Sequence, residues 1–191
     1  MGKFDWKKGF KTMLSDDLIY LRKLEESDLH RTWKWINNPD IFIAIGVHVP
    51  ITKTSQKQWF NALNISDSKI VFAICIQEEN QHVGNVSLDL IDFRHRNARL
   101  SIFVAEPGMR GKTIGTRAMR LLIKYAFDFL NLHRLYCKTT AGSENVLNFY
   151  KKLGFRVEGQ LREHEYIQGC YVDKIMLGLV RNDLGRGDEF I

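Results

Sequence analysis

Seven consecutive residues, Ile70-Val71-Phe72-Ala73-Ile74-Cys75-Ile76, carry no charged or amide side chain on either face. A strand sends alternate side chains to opposite faces, so a segment apolar at every position needs cover on both. The run predicts a central strand, and therefore layers above and below a sheet. Its neighbours say what kind of sheet. Val86, Leu88 and Leu90 alternate with Asn85, Ser87 and Asp89, the pattern of a strand with one polar face. Leu100 to Val104 reads as the next strand. From Ile114 the period changes. Ile114, Ala118, Leu121, Leu122, Tyr125 and Phe129 share one helical stripe, with Arg117, Arg120, Lys124 and Asp128 opposite.

Before the apolar run come a short strand (Leu18 to Arg22) and two helices. The first begins after Ser27 or Asp28 and stops at Asn37-Asn38-Pro39-Asp40; the second runs from about Thr54 to Leu63. After the long helix come a strand (Leu132 to Thr139), a short helix (Ser143 to Leu153) and a hairpin turning at Gln168-Gly169. Gly154 suits the left-handed cap of that short helix. The order predicts one mixed α/β domain: a central, mostly antiparallel sheet of about seven strands with helices on both faces. The domain is expected over 14–182, between a basic tail (1–13) and a C-terminal tail (183–191).

The chain has 191 residues, 28 basic and 22 acidic, for a net charge of +6. Such an excess speaks of anionic partners, not of fold. The basic residues gather at positions 110–120 and at Lys3, Lys7, Lys8 and Lys11, without a base-stacking aromatic motif, so no nucleic-acid partner is expected. No stretch approaches the roughly 18 apolar residues of a membrane span, and no secretory leader is read at the start. Cys75, Cys137 and Cys170 are odd in number, far apart and in apolar surroundings. They read as buried thiols of a reducing cytoplasm, with no metal site.

Arg110-Gly111-Lys112-Thr113-Ile114-Gly115-Thr116 lies between a strand and the long helix. A loop there offers backbone N–H groups and the positive end of the helix dipole to an anion such as pyrophosphate. Glycine allows close approach, and Arg110, Lys112, Arg117 and Arg120 add charge. A solvated basic turn would have the same composition. It is not a Walker loop, because G-x-x-x-x-G-K-[ST] is absent.

About thirty residues on stands Ser143-Glu144-Asn145-Val146-Leu147-Asn148-Phe149-Tyr150-Lys151-Lys152-Leu153-Gly154-Phe155, then Glu158-Gly159-x-Leu161-Arg162-Glu163. With the loop, these segments resemble the GNAT superfamily of N-acetyltransferases from about Leu18 to Val180. The nearest subgroup holds ribosomal-protein N-terminal, spermidine and aminosugar acetyltransferases. The resemblance implies acetyl transfer from acetyl-CoA to a primary amine by direct attack in a ternary complex, without metal. It places pyrophosphate at Arg110, Gly111, Lys112, Thr113, Ile114, Gly115 and Thr116. It places pantetheine pairing and the oxyanion donor at backbone near Ile102, Phe103 and Val104, beside a splayed sheet gap. Ser143 or Asn145 would hydrogen-bond the cofactor, and Tyr150 matches the proton donor.

The departures matter. Thr113 replaces a loop glycine, which is costly if that position needs positive φ. Ser143 stands where many relatives have Asn. Arg99, in Ala98-Arg99-Leu100, stands where relatives often carry a glutamate base. Asp89, Glu163, His164, Glu165 or a water chain remain as bases, and Asp89, Glu163 and Glu165 are candidate acceptor contacts. Trp33 falls on the core stripe, which makes Trp35 the candidate for acceptor contact. Tyr150 also falls on an apolar stripe with Val146, Leu147 and Leu153, so packing alone is a competing explanation. A catalytically silent CoA-binding module is the alternative function. The acceptor is a small-molecule or peptide amine, and a homodimer stays open.

Overall fold

The structure is a computed structural model, and it describes residues 14–106, 108–109 and 113–184. The basic tail expected over 1–13, Arg110, Gly111 and Lys112 of the loop, and 185–191 of the C-terminal tail lie outside the described residues.

Seven strands form one sheet: β1 (Ile19–Lys23), β2 (Ile70–Ile76), β3 (His82–Asp92), β4 (Asn97–Val104), β5 (Arg134–Thr140), β6 (Arg156–Ile167) and β7 (Cys170–Val180). Their order across the sheet is β1-β2-β3-β4-β5-β7-β6, and every pair is antiparallel except β4–β5. The helices are α1 (Leu29–Ile36), α2 (Pro39–Ala44), α3 (Lys53–Asn64), α4 (Ile114–Lys124) and α5 (Glu144–Lys152).

β2 is covered on both sides, as its composition requires. Phe72, Ile74 and Ile76 join a core with Ala118 and Leu122 of α4; Val71, Ala73 and Cys75 join one with Phe60 and Trp59 of α3 and Leu29 of α1. The two helical layers therefore lie on opposite faces of the sheet.

Four local expectations are corrected. Pro39 does not merely end a helix. Proline is tolerated where no helical N–H is needed, and Asn38 accepts from Asp40 N–H at 2.9 Å, so α2 starts there. Leu90 is exposed, because a bulge between Asp89 and Asp92 gives it a φ of 51° and turns Ile91 inward in its place. Phe129 is exposed, because α4 runs on into a π-turn over Tyr125–Phe129 that breaks the 3.6-residue stripe. Cys75 and Cys137 are buried, but Cys170 is exposed at the start of β7.

Candidate active site

The parallel pair β4–β5 keeps register only from Asn97↔Arg134 to Arg99↔Tyr136. Beyond Arg99, β4 pairs with β3 alone among the described strands, and β5 leans toward β7. The strands splay, and the backbone edge from Leu100 to Val104 faces a gap. α4 begins at one end of this gap. Its N-cap, Thr113, has φ 63° and ψ −10°, the left-handed region that glycine favours, and its hydroxyl makes no cap bond. The N–H groups of Ile114, Gly115 and Thr116 precede the first intrahelical bond, Arg117 N–H to Thr113 O at 2.9 Å. A Cβ on Gly115 would meet only Phe149 and Ile102, at 3.8 Å or more. Packing therefore does not require glycine there, and its absent side chain leaves room over the helix N-terminus for a close-lying anion. Strand gap and helix start together fit acetyl-CoA. Arg117 does not add charge to this place, because Asp16 and Asp17 hold its guanidinium.

A cavity of about 940 Å³ runs through the gap onto the α1–α3 face. Ile102, Phe103, Ser143 and Tyr150 line it, and so do Asp89, Glu165, Trp59 and Arg99. Tyr150 sits in the last turn of α5. Gly154, at φ 91°, reverses the chain so that Phe155 N–H reaches Tyr150 O at 3.1 Å and the two rings meet edge-on at 5.4 Å. The phenol is only 7% exposed and pairs with the Cys137 thiol of β5. Burial pushes the phenol well above its usual value, and burial pushes the Cys137 thiol up to about 12. Both are protonated at neutral pH.

The polar face of β3 is turned into the cavity, and that accounts for three buried polar residues, Asn85, Ser87 and Asp89. Asp89 accepts from Ser87 Oγ at 3.0 Å and Ser101 Oγ at 3.1 Å, and it faces Lys69 Nζ at 2.8 Å. Glu165 faces Lys174 Nζ at 2.7 Å and Lys138 Nζ at 3.6 Å. Burial would raise its carboxyl, but the Lys174 hydrogen bond and the two lysine charges hold it below the usual range.

Other expected residues lie elsewhere. Trp35 is buried against Ile41, Phe103 and His82 and does not line the cavity, while Trp59 does. Trp33, placed on the core stripe by its spacing, is half-buried and donates to Ile51 O at 2.6 Å. The α1 stripe is rotated because Thr32, not Trp33, packs inward, where it accepts from Gln56 at 3.1 Å. Asn145 is exposed outside the cavity, leaving Ser143 as the lining residue. Glu163 is exposed in a bulge of β6, outside the lining, its N–H bound to Asp173. His164 meets Lys138 Nζ at 3.1 Å. Lys69, Lys138 and Lys174 were not singled out from sequence. The signal was faint: Lys138 and Lys174 stand inside strands and become neighbours only through the β5–β7 register, and Lys69 is the residue before β2.

Residues 19–156 match the acetyltransferase (GNAT) domain family. The chain belongs to the GNAT acetyltransferase family. It is 35% identical over 165 residues to a spermidine N(1)-acetyltransferase of Escherichia coli K12, covering 86% of this chain and 87% of the relative. A spermidine N(1)-acetyltransferase of Vibrio cholerae is 28% identical over 155 residues, covering 81% and 88%. The fold superposes on a crystal structure of spermidine N-acetyltransferase from Vibrio cholerae in complex with CoA and spermine. That match has a TM-score of 0.82 at 24% identity and covers 88% of this chain and 98% of the other. The chain is thus an acetyl-CoA-dependent N-acetyltransferase built on one GNAT fold. Among the described residues no group of side chains is disposed to hold a metal, and no helix is long and apolar enough to cross a membrane.

Proposed function

We propose that this enzyme acetylates the primary amine of a small molecule, which attacks the thioester of acetyl-CoA directly in a ternary complex. One observation carries the reading: a single cavity joins the strand gap and Tyr150 to the polar floor of β3. Kinship with spermidine acetyltransferases supports a small molecule over a protein N-terminus.

Acetyl-CoA supplies the activated acyl group. The chain's residues hold and orient both partners, which removes much of the entropic barrier. The backbone edge at Ile102, Phe103 and Val104 is the source of the oxyanion donor. Tyr150, protonated and buried, gives the proton that the departing thiolate needs. Ser143 and the first turn of α4 hold the cofactor with Arg110 to Thr116.

The two carboxylates proposed as bases that line the cavity, Asp89 and Glu165, are both engaged. Asp89 already takes two hydroxyl donors and a lysine, and Glu165 takes two lysines. Instead, Lys69, Arg99, Lys138 and Lys174 surround the acceptor side. Like charge disfavours an ammonium ion, so these cations lower the acceptor's pKa and favour loss of the ammonium proton to water; the free amine attacks, and the proton its nitrogen sheds in the adduct also leaves to water. Mass spectrometry of an amine panel incubated with acetyl-CoA tests the proposal. Acetylation of no amine would refute it and leave the silent CoA-binding module.

A further inference from the structure

The charged side chains of the cavity are Lys69, Arg99, Lys138 and Lys174 against Asp40, Asp89 and Glu165. Both buried-side carboxylates are already shared between two cations each. Asp89 lies between Lys69 and Arg99, and Glu165 between Lys138 and Lys174. A polycationic acceptor would find only the exposed Asp40 without a cation partner among the described residues there.

Arg99 is the least satisfied of the four. Its Nη2 is 3.7 Å from Asp89 Oδ2, beyond hydrogen-bond reach, and that oxygen is occupied by Ser87 and Ser101. Its Nε is buried and has no hydrogen-bond partner among the described residues. Its side chain is 36% exposed, toward the cavity it lines. A guanidinium offers a planar fork of donors that matches a carboxylate or phosphate, and this fork lacks its acceptor.

The sheet separates this place from the cofactor loop. Arg99, Ser101 and Phe103 alternate with Ala98 and Leu100, which belong to the core packed on α4. Arg99 therefore projects to the α1–α3 face, away from the helix start that fits pyrophosphate. Lys138 and Thr140 likewise alternate with Leu135 and Cys137 of that core.

We propose that the acceptor is an amine carrying an anionic group, phosphate or carboxylate, bound by Arg99 in the field of Lys138 and Lys174, and not a bare polyamine. The proposal rests on the acetyltransferase reading and names the substrate class of the same site. Its test compares matched amines by thiol release: glucosamine against glucosamine 6-phosphate, L-methionine amide against L-methionine, and spermidine.

The anionic member of at least one pair is expected to exceed its partner in kcat/KM by roughly 10- to 100-fold, the scale of a hydrogen bond to a charged group. The pair that responds distinguishes phosphate from carboxylate. Arg99→Gln should erase the preference, and Arg99→Glu should shift it toward spermidine. Calorimetry checks acetyl-CoA binding in each variant. If either variant fails to fold, the wild-type ratios alone decide. Preference for spermidine, glucosamine or the amide overturns the inference and leaves the acetyltransferase reading standing. Acetylation of none of the amines by enzyme that binds acetyl-CoA overturns both. Loss of acetyl-CoA binding on Arg99→Gln places the guanidinium at the cofactor and overturns the inference alone.

Discussion

Tyr150→Phe separates chemistry from packing, because it removes one oxygen from a ring that stays buried. The ring rests between Phe149 and Phe155 at centroid distances of 5.1 and 5.4 Å, contacts that phenylalanine keeps. What is lost is the hydroxyl and its pairing with the Cys137 thiol. One neutral hydrogen bond contributes about 1 kcal/mol, so the melting temperature should fall by roughly 2–4 °C or less for a chain of this size. The catalytic loss should be larger. An ordinary thiol near 8.5 would leave as a thiolate too weakly basic to draw a proton from a phenol above 10. Burial in this enclosure raises Cys137 to about 12. Low polarity disfavours a thiolate formed there for the same physical reason, which makes it a stronger base toward the Tyr150 phenol. Removing the donor should lower kcat by roughly 10²–10⁴-fold, about 2.7–5.5 kcal/mol. The Michaelis constant for acetyl-CoA should change little, because the bond matters in the transition state. Thiol release at saturating acetyl-CoA and amine is the assay, with thermal melting beside it. A phenylalanine variant with full turnover would remove Tyr150 from the mechanism. A fall in kcat matched by a large loss of stability would make the residue a packing element.

Thr113→Gly should relieve a β-branched residue held at φ 63°. The left-handed penalty of about 1–2 kcal/mol is offset by glycine's entropic cost of about 0.4–1 kcal/mol, so stability should rise by up to about 1.6 kcal/mol, read by melting. Acetyl-CoA affinity should change less than about tenfold by calorimetry, and a larger loss would make the hydroxyl a phosphate ligand. Acetyl-CoA should raise the melting temperature, and less so at high salt; no shift at millimolar ligand would contradict a cofactor site at α4. Asp28 is buried, which alone would raise its carboxyl, but Arg22 at 2.7 and 2.9 Å and Glu25 N–H at 2.9 Å bring it down to about 2. A depressed folded pKa gives stability present above the unfolded value near 4 and lost as pH falls toward 2. Denaturation across that window should show a loss of about 2 kcal/mol that Asp28→Asn abolishes.

Much of the fold was legible in the sequence. The apolar run at Ile70–Ile76 predicted a doubly covered strand, and the change of period at Ile114 predicted a helix. These are local constraints, set by side-chain spacing along one segment. Whether Thr113 needs a positive φ was left open by the sequence, and the structure gives it φ 63°. The local rules failed where the backbone left its regular period. The bulge at Leu90 and the π-turn at Phe129 each shift the pattern by a residue, and composition does not announce that shift.

The candidate site was only half legible. Tyr150 and the α4 loop could be named because each lies within one continuous motif. Lys69, Arg99, Lys138 and Lys174 could not be read as a group, because they come from the residue before β2 and from within β4, β5 and β7. They share one cavity only through the sheet order and the splaying of β4 from β5. Trp35, the expected acceptor contact, is buried away from the cavity and Trp59 lines it, since the angle at which each helix meets the sheet decides which indole reaches the cavity. The sequence by itself determined the layers and singled out the helix start and Tyr150 as candidates. Only the tertiary structure decided the electrostatic character of the acceptor side, because charge in a cavity is a sum over residues that are distant in the chain and close in space.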